Sequence, residues 1–198
     1  MPQPQIILAS RSPRRHELVG RMGLAFQVMV PDIEEHMDRV LPPHKLVETI
    51  SLEKARAVGG QVGEGPIIIA ADTVVALDGA LLGKPRDRAE ARRMLTALQG
   101  RHHQVYTGFT VLQGGRAITR SEETEVVFRR MTDAEIGQYI STGEPMDKAG
   151  AYGIQGYGAM LVESLRGDYF NVMGLPVCAL AEVLKEFGVD CLALSAEK

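Results

Sequence analysis

Ile6-Ile7-Leu8-Ala9-Ser10-Arg11-Ser12-Pro13-Arg14-Arg15 is the stretch on which the reading of this chain turns. Four small or apolar residues make a short buried strand, and a polar break follows at once. From Pro13 to about Met22 the pattern becomes helical, with Leu18, Val19 and Met22 on one face. Ser12 is a natural N-cap, and Pro13 suits the first helical position, where its missing N–H is not needed. Arg14 and Arg15 run against this pattern, because the first turn of a helix carries partial positive charge and favours acids. A bound anion reverses the penalty. Unpaired backbone N–H groups, a serine hydroxyl and two guanidinium forks at a strand-to-helix turn suit a phosphate; the plain alternative is a solvated basic turn.

Composition narrows the function classes. The 198 residues suffice for a sizeable core, in one domain or in two lobes. A formal net charge of −3 argues against general nucleic-acid binding, and an aromatic content of 5% leaves little for base stacking along a strand. No apolar run is long enough to span a membrane, and no secretory leader pattern is present at the N-terminus. Cys178 and Cys191 have no CxxC partner, which points to free thiols in the cytoplasm; the five histidines form no zinc motif.

Around the opening stretch the chain reads as alternating strands and helices. Ala25–Val30 predicts a strand ended by Pro31, followed by an acidic cluster of Asp32, Glu34 and Glu35 that is either solvated or a hard-cation site. Pro42-Pro43 opens a helix that runs to about Val58 and is stopped by Gly59-Gly60. Lys54 falls on its apolar stripe with Ile50 and Val58, so its ammonium either snorkels to water or reaches an anionic cleft. Pro66–Leu77 is apolar on both faces and predicts a central strand, interrupted by Asp72. A carboxylate there must be paired, hydrogen-bonded, protonated or metal-bound.

Asp78-Gly79 predicts a hairpin to Ala80–Gly83, with Lys84 just beyond it. Asp87 predicts the cap of a helix ending at Gly100. Gln104–Phe128 predicts two strands about Gly114-Gly115, and Thr132-Asp133-Ala134-Glu135 a capping box. Four glycines between Gly150 and Gly158 allow backbone to approach a ligand closely, but the order is neither that of a dinucleotide fold nor of a P-loop. Strands over Ala159–Leu165 and Asp168–Met173 are expected to flank an Arg166-Gly167 turn, before a last helix from Pro176 to Phe187.

Five segments in order resemble the Maf family of nucleoside triphosphate pyrophosphatases. They are Leu8 to Arg15, Glu53-Lys54-Ala55, Ala71-Asp72-Thr73-Val74-Val75, Gly83-Lys84-Pro85 and the run Lys148-Ala149-Gly150-Ala151-Tyr152-Gly153-Ile154-Gln155-Gly156. The resemblance implies an α/β fold of Maf/ITPase-like type, a single domain over residues 1–198 with an elongated, twisted mixed sheet flanked by helices and two lobes around a central cleft. It also implies metal-assisted hydrolysis between the α- and β-phosphates and a homodimer. Asp72 matches the essential acid, as base or metal ligand. Glu35 matches a second acidic position, and the two are the expected carboxylates for Mg²⁺ or Mn²⁺. Ser10, Arg14, Arg15, Lys54 and Lys84 match the residues that line the cleft. Arg14, Thr73 and Gln155 resemble the branch selective for dTTP and UTP; the 7-methylguanosine triphosphate branch has an aromatic residue, a glutamine and a glutamate there. An amide at Gln155 offers a donor and an acceptor, which matches the N3–H and O4 of uracil or thymine. The competing expectation is a nucleotide-binding regulator of cell division with little turnover, and a third is a phosphatase releasing orthophosphate.

Overall fold

The computed structural model describes residues 4–33 and 40–196; the acidic residues Glu34 and Glu35 lie outside the described residues. In chain order the elements are β1 (Ile6–Ala9), α1 (Pro13–Arg21), β2 (Phe26–Val28), α2 (Pro43–Val62), β3 (Ile67–Leu77), β4 (Ala80–Leu82) and α3 (Arg88–Leu98). They continue with β5 (His102–Gln113), β6 (Arg116–Phe128), α4 (Asp133–Ser141), β7 (Val162–Arg166), α5 (Tyr169–Met173), α6 (Val177–Glu186) and α7 (Cys191–Ala196). The seven strands form one mixed sheet in the order β2-β1-β3-β5-β6-β7, with β4 on β3. Strand β1 runs parallel to both β2 and β3, whereas β4 is antiparallel to β3 and β7 to β6. The α/β class and mixed sheet expected from the sequence are therefore present.

By its internal contacts the chain divides into two compact units. The first comprises Met1–Asp72, Thr107–Glu122 and Gly174–Lys198. Its α2 lies on the strands through Ala55 and Val58, which pack with Ile7, Ala9, Ile68, Ala70 and Leu112. The approach is closest at Gly108 of β5, where a Cβ would collide with the α2 backbone at Val47 and Glu48. Beside it the buried hydroxyls of Ser51 and Thr110 are 2.9 Å apart, and Thr110 is 2.9 Å from Thr119. Helix α2 is thus seated by both apolar contact and a satisfied polar chain, since buried hydroxyls need partners.

The second unit comprises Thr73–Tyr106 and Glu123–Met173. Its core gathers Leu95 and Leu98 of α3, Ile136 and Tyr139 of α4, and Phe128 and Tyr152. Both helices begin where the sequence signals it: Asp87 accepts from Glu90 N–H at 2.7 Å, and Thr132 and Glu135 form the reciprocal capping box. His103 is fully buried here, with Nε2 2.8 Å from the Tyr152 hydroxyl and its ring edge-on to Phe128 and Tyr152.

Three boundaries differ from expectation. Helix α2 runs through Gly59-Gly60 to Val62 and ends at Gly63, whose φ is +79°. Gly59 is there for proximity rather than termination, since a Cβ would press on Leu112 and Ile68. Residues 169–173 form a short helix instead of a strand. Asp168 Oδ1 takes the Phe170 N–H at 2.8 Å, and the Asn171 amide is buried against Val105 O and Thr124 Oγ1 at 3.0 and 2.9 Å. The preceding strand accordingly contracts to Val162–Arg166, after a 3₁₀ turn at Tyr157–Met160.

Candidate active site

Register explains how the first unit gathers its polar residues. Ala9 of β1 pairs with Ala70 of β3, so β1 ends while β3 continues for seven residues. Ligands of open α/β sheets bind beyond the carboxyl ends of such parallel strands. Here that end delivers Ser10, which is buried, and its hydroxyl accepts the Ser12 N–H at 3.1 Å. Ser12 then caps α1, its hydroxyl 3.5 Å from the Arg15 N–H, and no acid occupies the first turn. Arg14 and Arg15 are both half-buried at this turn.

Arg15 has a second task that the sequence did not reveal. Its Nε donates to Gly174 O at 2.7 Å and its Nη1 to Ala71 O at 2.9 Å, with Ser10 Oγ at 3.5 Å. The guanidinium ties the turn to β3 and to the segment before α6. A planar fork is suited to holding several acceptors at fixed angles.

Asp72 extends from the row of Ile68 and Ala70, the side of β3 covered by α2. Lys54 stands next to Ala55 on that helix and donates from Nζ to Asp72 Oδ1 at 2.7 Å. Both side chains are 8% exposed. The ammonium therefore neither snorkels to solvent nor stands apart: two residues singled out separately in the sequence form one buried ion pair. The other carboxylate oxygen, Asp72 Oδ2, is buried with no hydrogen-bond partner among the described residues. An unsatisfied buried carboxylate oxygen is costly and calls for a partner such as water or a cation.

The second unit holds the remaining three. Thr73 follows Asp72 on β3 and is half-buried, Lys84 is exposed just after β4, and Gln155 is exposed in the glycine-rich loop. The loops bearing the last two are joined, since Gly150 N–H donates to Gly83 O at 3.1 Å. Glu35 lies outside the described residues. Among the described residues no group of three or more His, Cys, Asp or Glu gathers as a metal cage, and no helix is long and apolar enough to cross a membrane. Sequence reading also passed over Glu144, which looks like one of two acids, with Asp147, ahead of the glycine-rich run. Its carboxylate takes three hydrogen bonds from the surrounding segment.

A mixed α/β sheet thus carries, at the end of β1, a helix N-terminus with two arginines and no acid in its first turn, and a buried carboxylate on the adjacent β3. The chain belongs to the Maf family: residues 5–187 match the family described as Maf-like protein. A protein of Symbiobacterium thermophilum named dTTP/UTP pyrophosphatase is 50% identical over 184 residues, covering 93% of this chain and 94% of that one. One of the same name from Moorella thermoacetica is 49% identical, covering 94% and 96%, and one from Bacillus pumilus is 46% identical, covering 93% and 97%.

Proposed function

We propose that this chain is a nucleoside triphosphate pyrophosphatase that hydrolyses dTTP and UTP, canonical or modified at the base, to the monophosphate and pyrophosphate. The observation that carries this reading is that relatives 49–50% identical over 93–94% of this chain bear the name dTTP/UTP pyrophosphatase. The same names favour an enzyme over a regulator with little turnover.

The residues suit the chemistry. Phosphoryl transfer depends mainly on positioning and on neutralising charge. The α1 N-terminus with Arg14 receives phosphate oxygens, Ser10 and Arg15 fix the turn that presents them, and Lys84 supplies a mobile point charge. Lys54 holds Asp72 through Oδ1 and so directs Oδ2 as the working atom. That buried, unpartnered oxygen fits a divalent cation, which takes one or two protein carboxylates and completes its shell with phosphate oxygens and water. Asp72 and Glu35 are the residues that would hold Mg²⁺ or Mn²⁺. Such an ion supplies Lewis-acid polarisation of the reacting phosphate.

Thr73 and Gln155, with Arg14, are read as the residues that select the pyrimidine base. A buried polar group aimed at the wrong base edge costs several orders of magnitude in efficiency. We read the chain as one functional domain, homodimeric on family resemblance and cytoplasmic on its cysteine pattern, two residues with no CxxC spacing. The test is a product-resolved assay with Mg²⁺ or Mn²⁺: pyrophosphate supports the reading, orthophosphate makes the protein a phosphatase, and binding without turnover makes it a regulator.

A further inference from the structure

The loop that carries Gln155 takes its shape from one carboxylate that the chemistry above does not use. Glu144 opens the 3₁₀ turn Glu144–Asp147, just after α4. Its Oε1 accepts the Tyr139 hydroxyl and the Gly158 N–H, both at 2.9 Å, and its Oε2 accepts the Tyr157 N–H at 2.7 Å. The Tyr139 hydroxyl in turn accepts the Gly153 N–H at 3.2 Å. Lys148 Nζ closes the base of the turn, donating to Glu144 O at 2.8 Å and Asp147 Oδ1 at 2.7 Å. Gly153, Tyr157 and Gly158 bracket Gln155 on both sides, so the backbone is pinned before and after it.

Two features make this a clamp and not a chance contact. Burial raises the Tyr139 phenol well above its ordinary range, so the hydroxyl keeps its proton and remains a donor to Glu144. Gly156 lies against the carboxylate so closely that a Cβ there would collide with Oε2. Hydrogen bonds to an ionised acceptor are shorter and stronger than neutral ones, and three converge here.

We propose that Glu144 is a positioning residue for base selection, fixing the backbone on both sides of Gln155 so that its amide meets the base in one orientation. This rests on the reading of Gln155 as a base-recognising residue. An amide side chain presents either a donor or an acceptor first, according to which way it is turned. Uracil and cytosine offer opposite patterns at positions 3 and 4, so a loop free to readjust accepts both. A pinned loop admits the edge that matches.

Glu144→Gln keeps the shape and replaces one acceptor oxygen with an NH₂ group that cannot accept. The expected result is a roughly tenfold fall in the ratio of kcat/KM for UTP over CTP, carried by KM, with kcat on UTP within about threefold of wild type, as follows from losing one charge-assisted hydrogen bond. Amide hydrogen exchange at Gly153, Tyr157 and Gly158 should quicken while exchange elsewhere stays unchanged. Gly156→Ala, which displaces the carboxylate from the other side, should give the same pattern and decides the matter if Glu144→Gln does not fold. A loss of activity equal for all nucleotides, with the UTP/CTP ratio intact, overturns the proposal, because a merely structural role predicts it. Gln155→Ala separates the two levels: a ratio unchanged in that variant removes the reading of Gln155 itself, whereas a ratio lost there but kept in Glu144→Gln removes only the clamp.

Discussion

Asp72 and Lys54 carry a structural burden together with the chemical role proposed for them. Each is costly to bury alone, and their 2.7 Å contact offsets that cost while leaving Asp72 Oδ2 without a partner among the described residues. Asp72→Asn preserves shape and removes the charge; hydrolysis should fall by at least about 10²–10⁴, the range for losing a general base, and by more if a metal ligand is lost. Wild-type turnover in that variant would remove Asp72 from the mechanism. The pair also separates two lysines that looked alike in sequence. Lys54→Met strips a buried carboxylate of its cation and should cost about 3–5 kcal/mol of stability, visible as a lowered melting temperature. Lys84→Met alters an exposed residue and should stay within about 0.5 kcal/mol. Both should slow hydrolysis. Equal melting temperatures for the two variants would contradict the buried pair.

At the scale of elements, His103 gives the second unit a pH response. Burial, reinforced by the neighbouring His102, lowers its pKa from 6.5 to about 4, so the folded protein keeps the ring neutral where the unfolded chain protonates. Its contribution to stability is complete above pH 6.5, declines as pH falls through that window, and is lost below about 4. Up to about 3 kcal/mol is at stake. His103→Gln should flatten the fall in melting temperature between those limits; an unchanged slope would show that the ring is not the source. What the sequence made legible was whatever is encoded locally. Ser12, Asp87 and Thr132 announced three helix starts, and the apolar run of β3, interrupted at Asp72-Thr73, announced a central strand. The errors lie where a tertiary partner overrides a local sign. Gly59-Gly60 looked like a stop, but the helix runs through it and Gly59 marks a close packing face, and the β-forming Tyr169, Phe170 and Val172 are drawn into a helix by Asp168 and Asn171. The sequence singled out the candidate residues one by one, but not the contacts between them. Arg15 meets Gly174 across 159 residues and Lys54 meets Asp72 across 18, separations on which no periodic pattern reports.

For the molecule as a whole, a net charge of −3 means that a polyanionic substrate is not drawn in by bulk charge. It has to be captured by a few placed cations, and Arg14 in the first turn of α1 and Lys84 just after β4 are the ones proposed for that task. Under the proposed function, the anhydride bond that is cut distinguishes this account from its rivals. The direct measurement is to incubate the purified protein with a divalent metal and dTTP, UTP, CTP, GTP or 7-methyl-GTP and to resolve every product. The account predicts pyrophosphate and monophosphate in equal amounts, fastest from dTTP and UTP; diphosphate with orthophosphate, or no turnover of any pyrimidine nucleotide, would contradict it.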